Sequence, residues 1–412
     1  MLVKDIFVEL RSRLRSCNVY ITTNIDFSKN CNLKISIQAN CIVLNYYDDL
    51  KRSDSLSSIE SLSEYSDDGN NVSCRIPIDE FCYIIPNSMS CLKIDKNTIS
   101  FRILTEPKNG GGFYTEFLPT NSIEHKIKPS DVKINMKSNE DVKIICANCS
   151  NVISNNTVKF DRILELPTSN LDMSEWFCHG HGHGHGNTTN SVELKPNKLD
   201  FLYRLTFFVV NKNLLSEKIN KFNLRRDIYH CNRCLAWLGL KKKDTVQLYN
   251  SDIKILHNNI ENYAFTHKNS TDNISIDDFI YTIESMMNEF NLGLQYTIMY
   301  KIVLECSFSA TNKQYLLIWI MDKELQVLRN NDDLIVNDKI KLQSTVLTKI
   351  LYKIEPMLNE EVETWLSDPS VTSTDISKSM FSNGIDHLQK MSLKVPEMFR
   401  YTNGFCVSYL KV

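Results

Sequence analysis

An α+β fold is predicted by three features of the sequence. Short runs rich in Ile, Val, Tyr and Phe, alternating in places with a period of two, fill its first third; two C-x-x-C pairs mark its middle; helical periodicity alternates with strand-like text in the remainder. With 412 residues, the chain is long enough to bury more than one core. A hydrophobic content of 42% and a charged content of 23% describe an ordinary globular protein. The net charge of -2 removes any general electrostatic case for nucleic acid or an anionic membrane, so the expected partner is a protein or a metal.

Residues 1–142 read as a mainly antiparallel β N-terminal domain. It opens on "MLVKDIFVELRSRLRS", where Val3, Phe7, Leu10 and Leu14 mark one face of a short helix. From Asn32 to Tyr47 and from Cys74 to Glu106, runs such as "LKISIQANCIVLNYY" and "CLKIDKNTISFRIL" predict strands. Between them, residues 48–71 hold serine and acidic residues with too little apolar surface to fold on, and predict a disordered loop. "NGGG" at Asn109–Gly112 lacks the Lys and Ser/Thr of a phosphate-binding loop and predicts a hairpin end.

Residues 143–243 form a Cys/His segment. "CANC" (Cys146, Cys149) and "CNRC" (Cys231, Cys234) each place two sulfurs on one side of a tight turn, and two such turns complete a tetrahedral shell for a structural zinc ion. With 81 residues between the pairs, three other readings stand beside this one: a redox pair, two unrelated buried pairs, or two separate sites. The redox reading lacks a surrounding βαβ pattern. A zinc knot would contribute folding energy directly. The tract "CHGHGHGHGN" (Cys178–Asn187) reads as a flexible His-Gly run, because alternating glycine brings little intrinsic order. Its first two residues differ, since "WFCH" sets Cys178 and His179 behind an aromatic anchor, where a thiolate and an imidazole could make half of an open metal site.

Residues 244–412 read as an α+β C-terminal module. Ser275–Phe290 and Thr345–Leu366 have helical periodicity, and "LQYTIMYKIVLEC" and "QYLLIWIMDKELQVL" read as strands, the latter turning at Asp322 and Lys323. The longest apolar run, Tyr315–Met321, is far short of the ~18 residues a membrane span needs. The N-terminus lacks a continuous signal-peptide core, so the expected location is the cytoplasm and nucleus, where thirteen cysteines stay reduced and clustered ones serve as metal ligands.

The succession "CANCSNVI", "FDRILELPTSN", "EWFCHG" and "IYHCNRCLAWLG" resembles the HECT-like ubiquitin-conjugating-enzyme-binding family. The shared motifs are both C-x-x-C pairs, the Leu166-Pro167 step, Trp176, Cys178-His179 and Gly239; the long His-Gly run departs from the pattern. The resemblance implies binding to a charged ubiquitin-conjugating enzyme and promotion of ubiquitin transfer, including self-modification and transfer to a cyclin. It also implies a link to messenger-RNA 3′-end processing through association with a metal-dependent endonuclease.

A covalent ligase needs an accessible thiolate to accept ubiquitin. Cys406 in "YTNGFCVSYL" is the late candidate nucleophile and Cys306 in "LECSFS" a second, although both sit in text that reads equally well as strand. Three functions follow as expectations. The first is a ubiquitin ligase or ligase-like protein; the second is a binding protein for the endonuclease, acting through Cys178 and His179; the third is an adaptor whose zinc only joins two β elements.

Overall fold

The computed structural model describes residues 2–11, 14–27, 32–47, 71–108, 132–166, 198–216, 228–267, 273–290, 300–308, 312–330 and 340–411. Strands dominate, joined by helices α1 (Ile274–Phe290), α2 (Glu360–Ser367) and α3 (Lys378–Ser392). Antiparallel pairing prevails, in broad agreement with the α+β class. Among these residues no helix is long and apolar enough to cross a membrane. The predicted loop 48–71, apart from Asn71, and the "NGGG" hairpin end lie outside the described residues.

The largest sheet has 11 strands and is organised around two long ones, Lys313–Asn330 and Leu342–Glu355, paired antiparallel. The first half of Lys313–Asn330 pairs with Tyr300–Ser307, and its second half pairs with Val3–Arg11 through Phe7↔Arg329 to Leu10↔Gln326. Asp322 and Lys323 therefore do not make the expected turn. The register shifts between Ile320, Asp322 and Leu325 instead, a bulge that redirects a continuous strand, and Arg11 Nη2 fixes it by contacting Asp322 Oδ2 at 3.3 Å.

Val3–Arg11 is a strand, not the expected helix. It lies between Ser16–Thr23 and Lys313–Asn330, and both its faces are covered: Ile6, Val8 and Leu10 enter one core while Phe7 enters another. A strand covered on both faces reads as an apolar run in which helical spacings arise by chance. Leu14, the last residue of the presumed helical face, is 55% exposed. The same cause corrects Thr345–Leu366, whose first part is the strand Leu342–Glu355. Ile350 and Tyr352 pack with residues of α1 and α3, while Leu347 and Leu351 join the opposite core. Only from Glu360 does this stretch become helical, as α2. The expected helix Ser275–Phe290 is present as α1.

The N-terminal strands thus share a sheet with the C-terminal ones. Glu9, fully buried, reinforces the join by accepting from Lys349 Nζ (2.7 Å), Asn18 Nδ2 (2.9 Å) and the Tyr409 hydroxyl. A separate core fills the middle of the chain, from Met136 to Phe265, and includes Ile144, Phe160, Phe208 and Leu248. It lies among the six-stranded sheet that runs from Arg162–Glu165 to Ile228–His230 and the three-stranded sheet Lys143–Cys146, Ile253–His257, Ile260–Tyr263.

Candidate metal centre

The two C-x-x-C turns meet in this middle core. Cys146 ends the strand Lys143–Cys146, held to Ile253–His257 by the pairing Cys146↔Ile253. Cys231 follows the strand Ile228–His230, which pairs with Trp237–Lys241. Both turns close in the same way. The Cys146 carbonyl accepts from Ser150 N–H (2.8 Å) and its N–H donates to Asn151 O (2.9 Å); the Cys231 carbonyl accepts from Leu235 N–H (3.1 Å) and its N–H donates to Ala236 O (2.8 Å). Each closure puts the residue after the second cysteine in the left-handed region, Ser150 at φ +55° and Leu235 at φ +60°. Across the pair, Arg233 Nη1 donates to Cys149 O at 3.4 Å.

The four sulfurs all lie within 4.8 Å of one another, with Cys146 Sγ 3.7 Å from Cys234 Sγ and Cys149 Sγ 3.6 Å from Cys231 Sγ. A tetrahedral ion with metal–sulfur bonds of about 2.3 Å has edges of about 3.8 Å, so the residues fit a closed four-sulfur shell. Cys146 and Cys231 are buried, and Cys149 and Cys234 partly exposed. Burial pushes the Cys146 and Cys149 thiols up. Burial also opposes charge on Cys234, but hydrogen bonds from the Asn148 side chain and the Ala236 backbone outweigh it and lower this thiol to about 6. The Arg233 backbone N–H points at Cys231 Sγ from 3.4 Å, and Asn151 Nδ2 approaches the same sulfur at 3.9 Å. Such donors stabilise thiolates whose charge a cation balances.

The remaining candidates separate. Cys178 and His179 lie outside the described residues. Cys306 is buried and its thiol is pushed up to about 12 by burial. Cys406 is partly buried in the strand Phe405–Leu410, opposite Tyr352, and burial raises its thiol as well. At both positions burial acts against the thiolate form that a nucleophile uses. Sequence reasoning missed Asn151 and the left-handed positions 150 and 235. Glycine commonly marks such a position, and neither residue here is glycine.

The family model described as HECT-like Ubiquitin-conjugating enzyme (E2)-binding matches residues 9–407. A curated relative from Pongo abelii, named as an E3 ubiquitin-protein ligase, is 22% identical over 310 residues, covering 67% of this chain and 74% of the relative. No solved structure matches.

Proposed function

From the premise that this chain belongs to the HECT-like ubiquitin-conjugating enzyme (E2)-binding family, we propose that it binds a ubiquitin-charged conjugating enzyme and promotes ubiquitin transfer. The observation that carries this reading is the family match, which spans nearly the whole chain, including both cysteine pairs. In this reading Cys146, Cys149, Cys231 and Cys234 would hold a zinc ion, and what it would supply is structural, since four protein sulfurs complete a tetrahedral shell. The cysteine loops keep two sheets of the middle core in one arrangement, against which a partner docks without reordering cost.

Transfer proceeds without a thioester on Cys306 or Cys406, whose thiols are raised by burial. The chain accelerates discharge of the conjugating enzyme directly onto an acceptor amine: the enzyme's thioester bond breaks, an amide to ubiquitin forms, and the conjugating-enzyme thiol leaves. No observation among the described residues favours the cyclin or the endonuclease as partner.

A discharge assay tests the proposal. Purified protein is mixed with a panel of ubiquitin-charged conjugating enzymes, and wild type is compared with Cys178→Ala, Cys306→Ala and Cys406→Ala. The expected result is accelerated discharge for at least one enzyme, retained by Cys306→Ala and Cys406→Ala. Unchanged discharge across the whole panel overturns the function. A reducible ubiquitin adduct lost in one variant overturns the non-covalent route and identifies that cysteine as the nucleophile.

A further inference from the structure

The single 3-10 turn Asn250–Asp252 ties α1, α3 and the first cysteine loop together through three consecutive residues. Asn250, fully buried, accepts from Phe265 N–H at 3.2 Å, and its Nδ2 donates to Phe265 O at 3.0 Å and to Asp278 Oδ2 of α1 at 3.4 Å. Ser251 Oγ lies 3.0 Å from Ser377 Oγ and 3.2 Å from Ser379 Oγ, at the start of α3. Asp252 faces two ways. Its Oδ1 accepts from Ser379 Oγ at 2.9 Å, while its main-chain carbonyl accepts from Ala147 N–H at 3.0 Å. Ala147 stands inside the first C-x-x-C loop, directly after Cys146, and the residue after Asp252, Ile253, is the strand partner of Cys146.

This network exceeds what the helix itself requires. An N-terminus is ordinarily served by one side-chain acceptor, and α2 takes its own from the adjacent Asn359. Helix α3 has the equivalent in Ser377, whose Oγ accepts from Met380 N–H at 3.1 Å. Ser251, Ser379 and Asp252 are additional to capping, and Ser251 comes from 126 positions upstream of Ser377. They extend the cap into a chain of hydrogen bonds: Met380 N–H to Ser377, Ser377 to Ser379 at 2.9 Å, Ser379 to Asp252, and Asp252 to Ala147 of the cysteine loop. No step is longer than 3.1 Å, and hydrogen bonds arranged in series inside a protein polarise and reinforce one another.

We propose that the turn Asn250–Asp252 couples metal occupancy of the four-cysteine site to the seating of the first turn of α3. The inference goes beyond the ligase reading and rests only on the metal reading of Cys146, Cys149, Cys231 and Cys234. The cysteine loop is the two-state element, because binding energy at a structural metal site is folding energy for the loops that form it. A loop fixed by metal holds Ala147 N–H on the Asp252 carbonyl, and Asp252 then holds Ser379. Linkage makes the effect reciprocal, so a helix seated on Asp252 strengthens metal binding by the same factor.

Zinc affinity therefore reads the coupling from the far end. Full-length wild type, Ser379→Ala and Ser408→Ala are titrated with zinc under reducing conditions in competition with a chromophoric chelator. Ser379→Ala cuts the chain between α3 and Asp252. Ser408→Ala is the control, since it removes a buried hydrogen bond to the later half of the same helix, Ser408 Oγ to Leu388 O at 2.8 Å. The expected result is an affinity about fivefold weaker in Ser379→Ala, the low end of such couplings, and unchanged in Ser408→Ala. Affinities of the two variants within twofold of each other overturn the coupling and leave the metal reading in place. A wild-type chain that binds no zinc overturns both.

Discussion

Gly239 has no room for a side chain. A Cβ there would lie 1.9 Å from the Gln247 carbonyl oxygen, on the backbone of the neighbouring strand, where no rotamer change can relieve the clash. Gly239→Ala is expected to destabilise the middle core at or beyond the upper end of the about 1–3 kcal/mol typical of overpacking, read as a lower midpoint of denaturant unfolding. This glycine was legible in the sequence as part of the motif after the second cysteine pair, and so were the four cysteines, because a C-x-x-C turn encodes its own geometry. The strained position 235 was not legible, since a leucine in sequence carries no sign of its backbone region.

Helix α2 shows what a short element needs. Asn359 Oδ1 accepts from Val362 N–H at 2.9 Å, Glu360, Glu361 and Glu363 lie in the first turn, and Val362 and Trp365 supply the buried side. Trp365 stacks on Phe405 with ring centroids 5.9 Å apart, and Lys301 Nζ sits 5.0 Å from the Trp365 centroid and 5.4 Å from that of Trp319. Asn359→Ala is expected to cost about 1 kcal/mol, measurable as a lower melting temperature with the sheet signal in circular dichroism retained below the transition. At this scale, sequence periodicity located α1, whose apolar residues face one core. It failed for Val3–Arg11 and Leu342–Glu355 because pairing on two edges and covering on two faces erase the polar side that marks a strand.

For the whole molecule, the separate cores have separate dependences. Metal removal by a chelator under reducing conditions is expected to collapse amide protection across the middle core, where all four cysteines reside, while the core beneath α1 and α3 keeps its slow exchange. The middle core meets the helical one at a polar junction. Asp252 Oδ1 accepts from Ser379 Oγ at 2.9 Å, Ser251 Oγ lies 3.0 Å from Ser377 Oγ, and Ser377 caps α3 through Met380 N–H. Burial raises the Asp252 carboxyl to about 6 despite the serine hydrogen bonds. The folded state therefore holds a proton that the unfolded chain has already released, and stability falls as pH rises from about 4 to about 6. Asp252→Asn removes this penalty. Its melting temperature is expected to gain on wild type progressively through that window and to keep a constant lead above it.

The pairing of Val3–Arg11 with Lys313–Asn330 also bears on synthesis. Ile6 N–H donates to Asn330 Oδ1 across 324 positions of sequence, so the strand Val3–Arg11 must await a partner made 324 residues later. At about 5–20 residues per second, the ribosome leaves that edge open for roughly 15–65 seconds. Throughout that interval Ser16–Thr23 can shield one edge of the nascent strand, while the other presents unpaired amides and carbonyls to every neighbouring chain.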